Sequence, residues 1–182
     1  MITNVTSIKQ SLISTIKLVV SSDDTKRDFL SRVQKENVSR EENPYTHFCV
    51  YFAAYDNFSN HVFIGHHRKS GLWLFNGGHM DKGEQPLEAL EREMMEEWGS
   101  VQKYRNIPSL LTVTEIEHPD RQICRFHYDI WYFILLDMNK FNPDENLLGK
   151  EFYQIGWKTM RNAKLLTNDP NTKIALTWLE NF

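Results

Sequence analysis

Three glutamates, Glu93, Glu96 and Glu97, follow shortly after the glycine pair Gly77 and Gly78. On a helix with about 100° per residue, Glu97 lies about 40° to one side of Glu93 and Glu96 about 60° to the other. All three carboxylates would therefore share one face, where like charges repel one another. The segment is either an acidic face left in water or a site that binds a divalent cation.

The apolar residues of the same segment bear on that choice. They lie about 60° to 140° from Glu93 around the helix, beside the acidic face rather than opposite it, and are Leu87, Leu90, Met94 and Trp98. Pro86 suits a first helical turn and Gly99 the position just after the last turn, which predicts one helix of about a dozen residues. The acidic face should then lie near the domain body, where water screens the repulsion poorly.

The spacing around the glutamates completes a recognisable pattern. Its fixed positions are Gly78, Glu84, Arg92, Glu93, Glu96, Glu97 and Gly99. Seven matches of this kind have a chance of about 10⁻⁹ to 10⁻⁸ per starting position. The segment from Gly78 to Ser100 resembles the Nudix box, GX5EX7REUXEEXGU, of hydrolases that cleave a nucleoside diphosphate linked to another moiety. Two departures are Ser100, where a bulky aliphatic residue is usual, and Asn76, where proline is frequent.

The resemblance implies a metal site and a set of catalytic residues. Glu96 and Glu97 are its main metal ligands, followed by Glu93 and the Gly78 carbonyl, with Glu84 contributing through a water. The implied cofactor is Mg²⁺, with Mn²⁺ as an alternative, since these cations take oxygen ligands. Arg92 would hold a carboxylate by a charge-assisted bond, or else form an exposed pair of small value. The implied catalytic set is Arg92, Glu93, Glu96 and Glu97.

The implied reaction is attack of water on phosphorus, with no covalent protein intermediate. The general base is open at this point. Glu96 and Glu97 are candidates, and so are three loop carboxylates for which a solvated surface role is the simpler interpretation, Glu115, Glu117 and Glu151.

Several other side chains are candidates for contact with the substrate, each with a structural alternative. His79 follows the glycines and could touch phosphate or form a structural hydrogen bond. Arg68 lies in a basic run, with His66, His67 and Lys69, that is either an anion contact or a charged turn. Two further sets are an alternating strand face, His127, Asp129 and Trp131, and three aromatic residues that could stack a base or fill the core, Tyr51, Phe63 and Trp73.

The elements that must position these residues can be predicted from residue patterning. Short aromatic and β-branched runs predict strands at residues 47–55, 61–67, 72–75, 110–117, 123–136 and 152–158. The segment DNFSN, 56–60, predicts a hairpin and HPDR, 118–121, a turn. A last helix begins after Asp169 as the cap, with Pro170 in its first turn. Strands on both sides of a central helix predict an α/β fold, a Nudix-like α/β/α sandwich with a mixed β-sheet.

Residues 1–43 have a different character from the rest. Ile8, Leu12 and Ile16 recur at helical spacing, and Asp23 or Asp24 can cap a second helix that runs to about Glu36. Pro44 then ends the helical pattern. We predict a helical arm at 1–43 and a Nudix hydrolase domain at 44–182, which should stay folded without the arm. The arm would cover the substrate cleft or form a homodimer contact.

Composition excludes several classes of partner. The net charge of −3 provides no basic field for nucleic acid or an anionic membrane. The first twenty residues lack a basic leader and an uninterrupted apolar stretch, which predicts a cytoplasmic protein without a membrane span. Cys49 and Cys124 lie in apolar surroundings without metal-ligand spacing, so both are expected to be buried hydrophobes.

The predicted function is that of a Mg²⁺-dependent Nudix pyrophosphohydrolase whose small-molecule substrate is a nucleotide diphosphate derivative. The features typical of NADH or coenzyme A pyrophosphatases are missing, so the identity of the substrate stays open. A nucleotide-sensing module is one alternative, although such a module would be expected to lose box glutamates. An isopentenyl-diphosphate isomerase is another, but those enzymes use a cysteine near the glycines, where this chain has Asn76.

Overall fold

The computed structural model describes residues 2–116 and 123–181. Its helices are α1 (Ile2–Leu18), α2 (Asp23–Gln34), α3 (Pro86–Trp98), α4 (Glu145–Glu151), α5 (Met160–Leu166) and α6 (Pro170–Glu180). Its strands are β1 (Thr46–Asp56), β2 (His61–His67), β3 (Trp73–Leu74), β4 (Asn76–His79), β5 (Leu110–Glu115), β6 (Phe126–Leu135) and β7 (Phe152–Thr159).

The strands form one mixed sheet around the long strand β1. The order is β3-β2-β1-β6-β5, with β4 paired to β1 and β7 paired to β2. Strand β6 runs parallel to β1 and the other pairs are antiparallel. The end of β1 pairs with β2 across the predicted hairpin, whereas its middle, Cys49 to Phe52, pairs with the glycine-bearing strand β4. The glycines are thereby fixed to the centre of the sheet.

Alternate residues of the central strands fill two separate cores. Phe48, Val50 and Phe52 point to the core that contains the box helix α3, while Ala53 points to the core beneath α5 and α6. Strand β6 divides in the same way, because successive side chains of a strand face opposite sides of the sheet. Helices therefore cover both faces, and the predicted α/β/α sandwich with a mixed sheet is confirmed.

Helices α1 and α2 pack into the core on the α3 side of the sheet. Leu12, Ile16, Phe29 and Val33 are fully buried there. The Phe29 ring lies 5.1 Å from that of Tyr128 on β6, measured between centroids. The division into an arm at 1–43 and a domain at 44–182 stays a prediction, and this shared core is an argument against an arm that stands apart.

Some local details differ from the sequence prediction. Ser22, not Asp23 or Asp24, is the N-cap of α2, since its hydroxyl accepts a hydrogen bond from the Thr25 amide. The short helices α4 and α5 were not predicted, because seven residues carry too little periodicity. Asp169 does cap α6, accepting from the Thr172 amide.

The predicted turn at 118–121 lies outside the described residues. None of the helices in the described part of the chain is both long enough and apolar enough to span a membrane.

Candidate active site around the glutamate helix

Helix α3 is delimited by its sequence as predicted. Gln85 precedes the helix, and its backbone N–H donates a hydrogen bond to the Glu88 carboxylate. Pro86 occupies the first turn. Gly99 ends the helix with a φ of 73°, in the left-handed region that glycine adopts at little cost. Leu90, Met94 and Trp98 are fully buried. This anchoring points the neighbouring face, with its glutamates, toward β4.

Glu97 is a buried carboxylate that approaches strand β4. One oxygen accepts a hydrogen bond from the Gly77 amide at 3.1 Å and the other accepts from the Asn76 side chain. Only 5% of the residue is exposed, and burial raises its pKa to about 8 although both hydrogen bonds favour the charged form. These partners are neutral, so the negative charge of Glu97 lacks a direct counter-charge among them.

Glu93 lies against Gly78. A Cβ atom added at Gly78 would overlap the Glu93 carboxylate, so the absence of a side chain there makes the contact possible. Glu93 is 8% exposed, and burial raises its pKa to about 7 against the opposing effect of Arg92. The two buried box glutamates thus titrate near neutral pH.

Arg92 connects the acidic residues of this region. Its Nε and Nη2 atoms bind both oxygens of Glu84, at 2.6 and 3.0 Å. Its Nη1 atom donates to Glu93 at 2.8 Å and to Glu96 at 3.2 Å, and Nη2 also donates to the His79 carbonyl at 2.9 Å. The hydrogen bonds to Glu84 raise the Arg92 pKa above its usual value. Of the two predicted alternatives, the geometry is that of a positioned, multiply bonded arginine.

The third box glutamate is placed differently. The Glu96 side chain is 59% exposed at the outer side of the Arg92 network. In residues 2–116 and 123–181, the groups of three or more His, Cys, Asp or Glu ligand atoms within 4.8 Å of one another do not include Glu93, Glu96 and Glu97. Arg92 contacts Glu93 and Glu96 while Glu97 turns to Asn76, so a shared metal site here stays a prediction.

An open cleft adjoins this network. Its volume is about 430 Å³, and Arg92 and Glu93 lie in its wall with Asp81 and Arg40. A cleft whose wall holds both carboxylates and arginines can accept a cation together with an anion.

Comparisons with known proteins agree with this geometry. The sequence model of the NUDIX domain matches residues 47–179, which is more than half of the chain. The chain belongs to the NUDIX family. Curated proteins gave no significant sequence match.

Solved structures share the Nudix fold at low sequence identity. The Escherichia coli dihydroneopterin triphosphate pyrophosphohydrolase has a TM-score of 0.60 and 17% identity, over 74% of this chain and 96% of that one. The Caenorhabditis elegans Ap4A hydrolase has a TM-score of 0.55 and 13% identity over the same shares. Family membership confirms the predicted enzyme class, a hydrolase of phosphorus-containing acid anhydrides.

Arg68, a predicted substrate contact of this Nudix chain, has observed partners outside the Arg92 network. Arg68 donates to the carbonyls of Gly149 and Phe152, and its guanidinium lies 4.6 Å from the centre of the Tyr153 ring. Its observed contacts hold the junction of α4 and β7.

Three loop carboxylates are the candidates that the sequence offers as alternative general bases. Glu151 pairs with Lys69 at 3.4 Å and with His67 at 3.6 Å. Glu115 is exposed at the end of β5, and Glu117 lies outside the described residues. Their role as a base stays a prediction.

The three aromatic side chains that were candidates for stacking on a substrate base pack against other rings of the protein. Tyr51 stacks on Trp131 at 4.6 Å and Phe63 meets Phe141 edge to face at 5.2 Å. Trp73 is half-buried and stacks on His66 at 5.8 Å.

Asp129, from the proposed strand face, is fully buried. Its carboxylate accepts hydrogen bonds from the Thr114 hydroxyl and the Asn171 amide.

Sequence reasoning missed three features of the site. Arg40 was assigned to the end of the arm, and only the tertiary structure brings it to the cleft. The sequence marks Asn76 only as a departure from the frequent proline, whereas in the structure its side chain donates a hydrogen bond to Glu97. Cys49 and Cys124 are both buried, as expected, but their spacing gives no sign that the ligand atom of Cys124 lies within 4.8 Å of those of three histidines distant in sequence.

Proposed function

We propose that this Nudix protein is a Mg²⁺-dependent pyrophosphohydrolase that cleaves a small-molecule nucleoside diphosphate linked to another moiety. The observation that carries the proposal is the burial of Glu93 and Glu97 beside Gly77 and Gly78, next to an open cleft. Buried carboxylates are costly unless a cation or hydrogen bonds compensate them. For Glu97 the compensation seen here comes from neutral groups.

The donor set fits a hard divalent cation. Glu93, Glu96 and Glu97 supply carboxylate oxygens, and the Asn76 Oδ1 atom is buried without a hydrogen-bond partner in the structure. Oxygen donors of this kind suit Mg²⁺ or Mn²⁺. Glu93, Glu96 and Glu97 would hold the ion, with the Gly78 carbonyl as a further donor. When bound, Mg²⁺ supplies Lewis-acid activation of water and neutralises charge on the diphosphate.

The protein groups have separable tasks in this proposal. Arg92 orients Glu93 and Glu96 and keeps Glu84 against the turn that precedes α3. Asn76 and the Gly77 amide fix the position of the Glu97 carboxylate. Glu96 lies on the exposed side of the network, where water reaches its carboxylate, and would accept a proton from the attacking water in addition to its place among the metal ligands. Arg40 and Arg92 would contact the anionic substrate from the cleft wall.

A substrate panel with product identification tests the proposal. Purified protein with Mg²⁺ or Mn²⁺ is incubated with nucleotide sugars, dinucleoside polyphosphates such as Ap4A, dihydroneopterin triphosphate and dinucleotide cofactors. Products are separated by mass, and ¹⁸O-water shows which phosphorus atom water attacks. Cleavage of a diphosphate linkage that stops with chelator is the expected result. Tight binding of one compound without cleavage of any would favour the sensing module.

One feature of the structure bears on the isomerase alternative, namely a cysteine close to the glycines in space although distant from them in sequence. Cys49 lies opposite His79 in the pairing of β1 with β4, and is therefore near the glycines. Burial raises the pKa of Cys49 well above its usual value, and the residue is 1% exposed. A buried protonated thiol is a poor nucleophile or acid-base group, so the hydrolase is the better-supported function.

A further inference from the structure

A cluster of three histidines and one cysteine lies beside the glutamate network but is not part of it. His47 is the second residue of β1 and pairs directly with His127, the second residue of β6, in the parallel register. His79 is the last residue of β4. Cys124 lies just before β6. The ligand atoms of these four residues all lie within 4.8 Å of one another.

The distances in the cluster are close to those of a four-coordinate metal site. The Cys124 Sγ atom lies 3.7 Å from His47 Nε2 and 3.9 Å from His79 Nε2. In a tetrahedral site with Zn–S near 2.3 Å and Zn–N near 2.0–2.1 Å, sulfur and nitrogen ligands are about 3.6 Å apart. The three imidazole centroids are 4.7, 4.9 and 5.1 Å apart. The two sulfur–nitrogen distances are therefore within a few tenths of an ångström of the tetrahedral value.

The surroundings of the rings favour metal ligation over simple core packing. His47 Nδ1 lies 2.9 Å from the Asn43 carbonyl, so it must carry the proton and leave Nε2 with its lone pair toward Cys124. This backbone hydrogen bond is the usual outer contact of a metal-binding histidine. His127 Nε2 is buried without a hydrogen-bond partner.

We propose that His47, His79, Cys124 and His127 form a structural metal site of the zinc type, separate from the Mg²⁺ site of the glutamates. One thiolate and three imidazoles select a borderline-soft ion such as Zn²⁺ and not Mg²⁺. Four protein ligands leave no open position, which is typical of structural rather than catalytic zinc. The ion would join β4, β1 and β6. His79 would contribute to both sites, since its ring would bind the ion and its backbone carbonyl accepts a hydrogen bond from Arg92.

Metal analysis of the intact chain tests this inference without any assay of activity. Tag-free protein from zinc-supplemented medium is dialysed against Mg²⁺ and analysed by mass spectrometry for metals. About one zinc per chain is expected, as four protein ligands form one tetrahedral site. The zinc-free protein should bind Co²⁺ with the intense visible bands of tetrahedral coordination and a thiolate charge-transfer band. Protein without zinc and without these cobalt bands would overturn the proposal.

The two cysteines of the chain provide a matched pair of variants. Cys124→Ser should abolish the thiolate band and weaken Zn²⁺ binding by about 100-fold or more, beyond the 10- to 100-fold effect of outer-shell contacts. Cys49→Ser should keep both. The reverse result would place the ion at Cys49, His127 and Asp129, whose ligand atoms also lie within 4.8 Å of one another, and would refute the assignment.

Two further measurements distinguish the proposed zinc site from the Mg²⁺ site of the glutamates. Glu97→Gln should leave the cobalt spectrum unchanged. After chelation, Zn²⁺ and not Mg²⁺ should restore the part of the melting temperature that Cys124→Ser loses. Recovery with Mg²⁺ alone, and none with Zn²⁺, would refute the zinc assignment.

Discussion

At the scale of single residues, Glu97 is a buried carboxylate whose pKa burial raises to about 8, so the fold stabilises its charge poorly. It is buried on α3, and its direct partners are the Asn76 amide group and the Gly77 backbone amide. Substitution by Gln keeps the shape and removes the charge. The cation of the proposed function would compensate this buried charge.

Glu97→Gln should lower kcat by about 10²- to 10³-fold, because one well-placed electrostatic contact in the transition state is lost. The metal-free protein should lose little stability, since the variant resembles the protonated form. The rise in melting temperature that Mg²⁺ causes should shrink, because binding to the folded state is weakened. Turnover on the panel substrate and melting curves with and without Mg²⁺ measure both effects. If the variant is active and keeps the wild-type response to Mg²⁺, then Glu97 has a structural role only.

The raised pKa of Glu97 also predicts how metal-free stability depends on pH. The folded-state pKa of about 8 exceeds the ordinary value of 4.5, so between these values the folded state binds more protons than the unfolded state. Stability then falls as pH rises, by at most about 1.4 kcal/mol per pH unit for one proton. His79 and His127 act in the opposite direction, but only below their ordinary value of 6.5.

Urea unfolding of the metal-free protein between about pH 6.5 and about pH 8 isolates the carboxyl contribution. The free energy of unfolding should decrease over this range, and Glu97→Gln should flatten the decrease. Glu96→Gln is the matched control, since the Glu96 side chain is 59% exposed and should leave the slope as in the wild type. An identical slope in wild type and Glu97→Gln would rule out Glu97 as the titrating group.

At the scale of elements, Arg92 ties α3 to the turn before it and to the end of β4. The guanidinium binds both oxygens of Glu84 and the His79 carbonyl. The planar fork of arginine allows this, whereas lysine would provide a single charged point. The contact positions the acidic face of α3 relative to the glycine strand.

A double-mutant cycle with Arg92→Lys and Glu84→Gln should show a coupling of about 0.5–3 kcal/mol in the free energy of unfolding. Both side chains are largely buried, at 24% and 18% exposure, so the pair is only weakly screened by solvent. The exposed pair Asp24 and Arg27 on α2, at 83% and 73% exposure, is the control. Its coupling should stay below about 0.5 kcal/mol. Equal couplings in the two pairs would mean that Arg92 forms an ordinary surface ion pair.

At the scale of the whole molecule, the N-terminal helices share the core of the Nudix domain. Phe29 packs against Phe48 with ring centroids 5.8 Å apart, and the buried Arg32 donates to the Thr46 carbonyl at the start of β1. Removing these helices would expose part of the apolar surface on the α3 side of the sheet. The helices therefore contribute to the stability of the domain that holds the site.

Deletion of residues 1–43 should strongly destabilise or unfold the protein, contrary to the independence predicted from sequence. Circular dichroism and urea unfolding of the truncated chain measure this. Ile16→Ala should cost about 2–5 kcal/mol, because Ile16 is fully buried. Leu18→Ala is its control on the same helix, and should cost less than about 0.5 kcal/mol because Leu18 is 57% exposed. A truncated chain with wild-type stability would support a separate arm.

The sequence by itself determined the box and the elements that carry it. Gly78, Glu84, Arg92 and the three glutamates are close in sequence, and helical periodicity alone places the three glutamates on one face of α3. The caps at Pro86 and Gly99 and the alternating strands are equally local signals, so the fold class followed from them. Such predictions succeed because each rests on contacts between residues a few positions apart.

Only the tertiary structure decided which of these residues meet. The hydrogen bond from Asn76 to Glu97 joins different elements, and Arg40 lines the cleft although it was assigned to the arm. His47 and Cys124 are separated by 77 positions and come together because β1 and β6 are neighbours in the sheet. Burial of Glu97 follows from the packing of α3 against β4 rather than from helical periodicity. Strand pairing and burial depend on the whole chain, which is why no local pattern contained them.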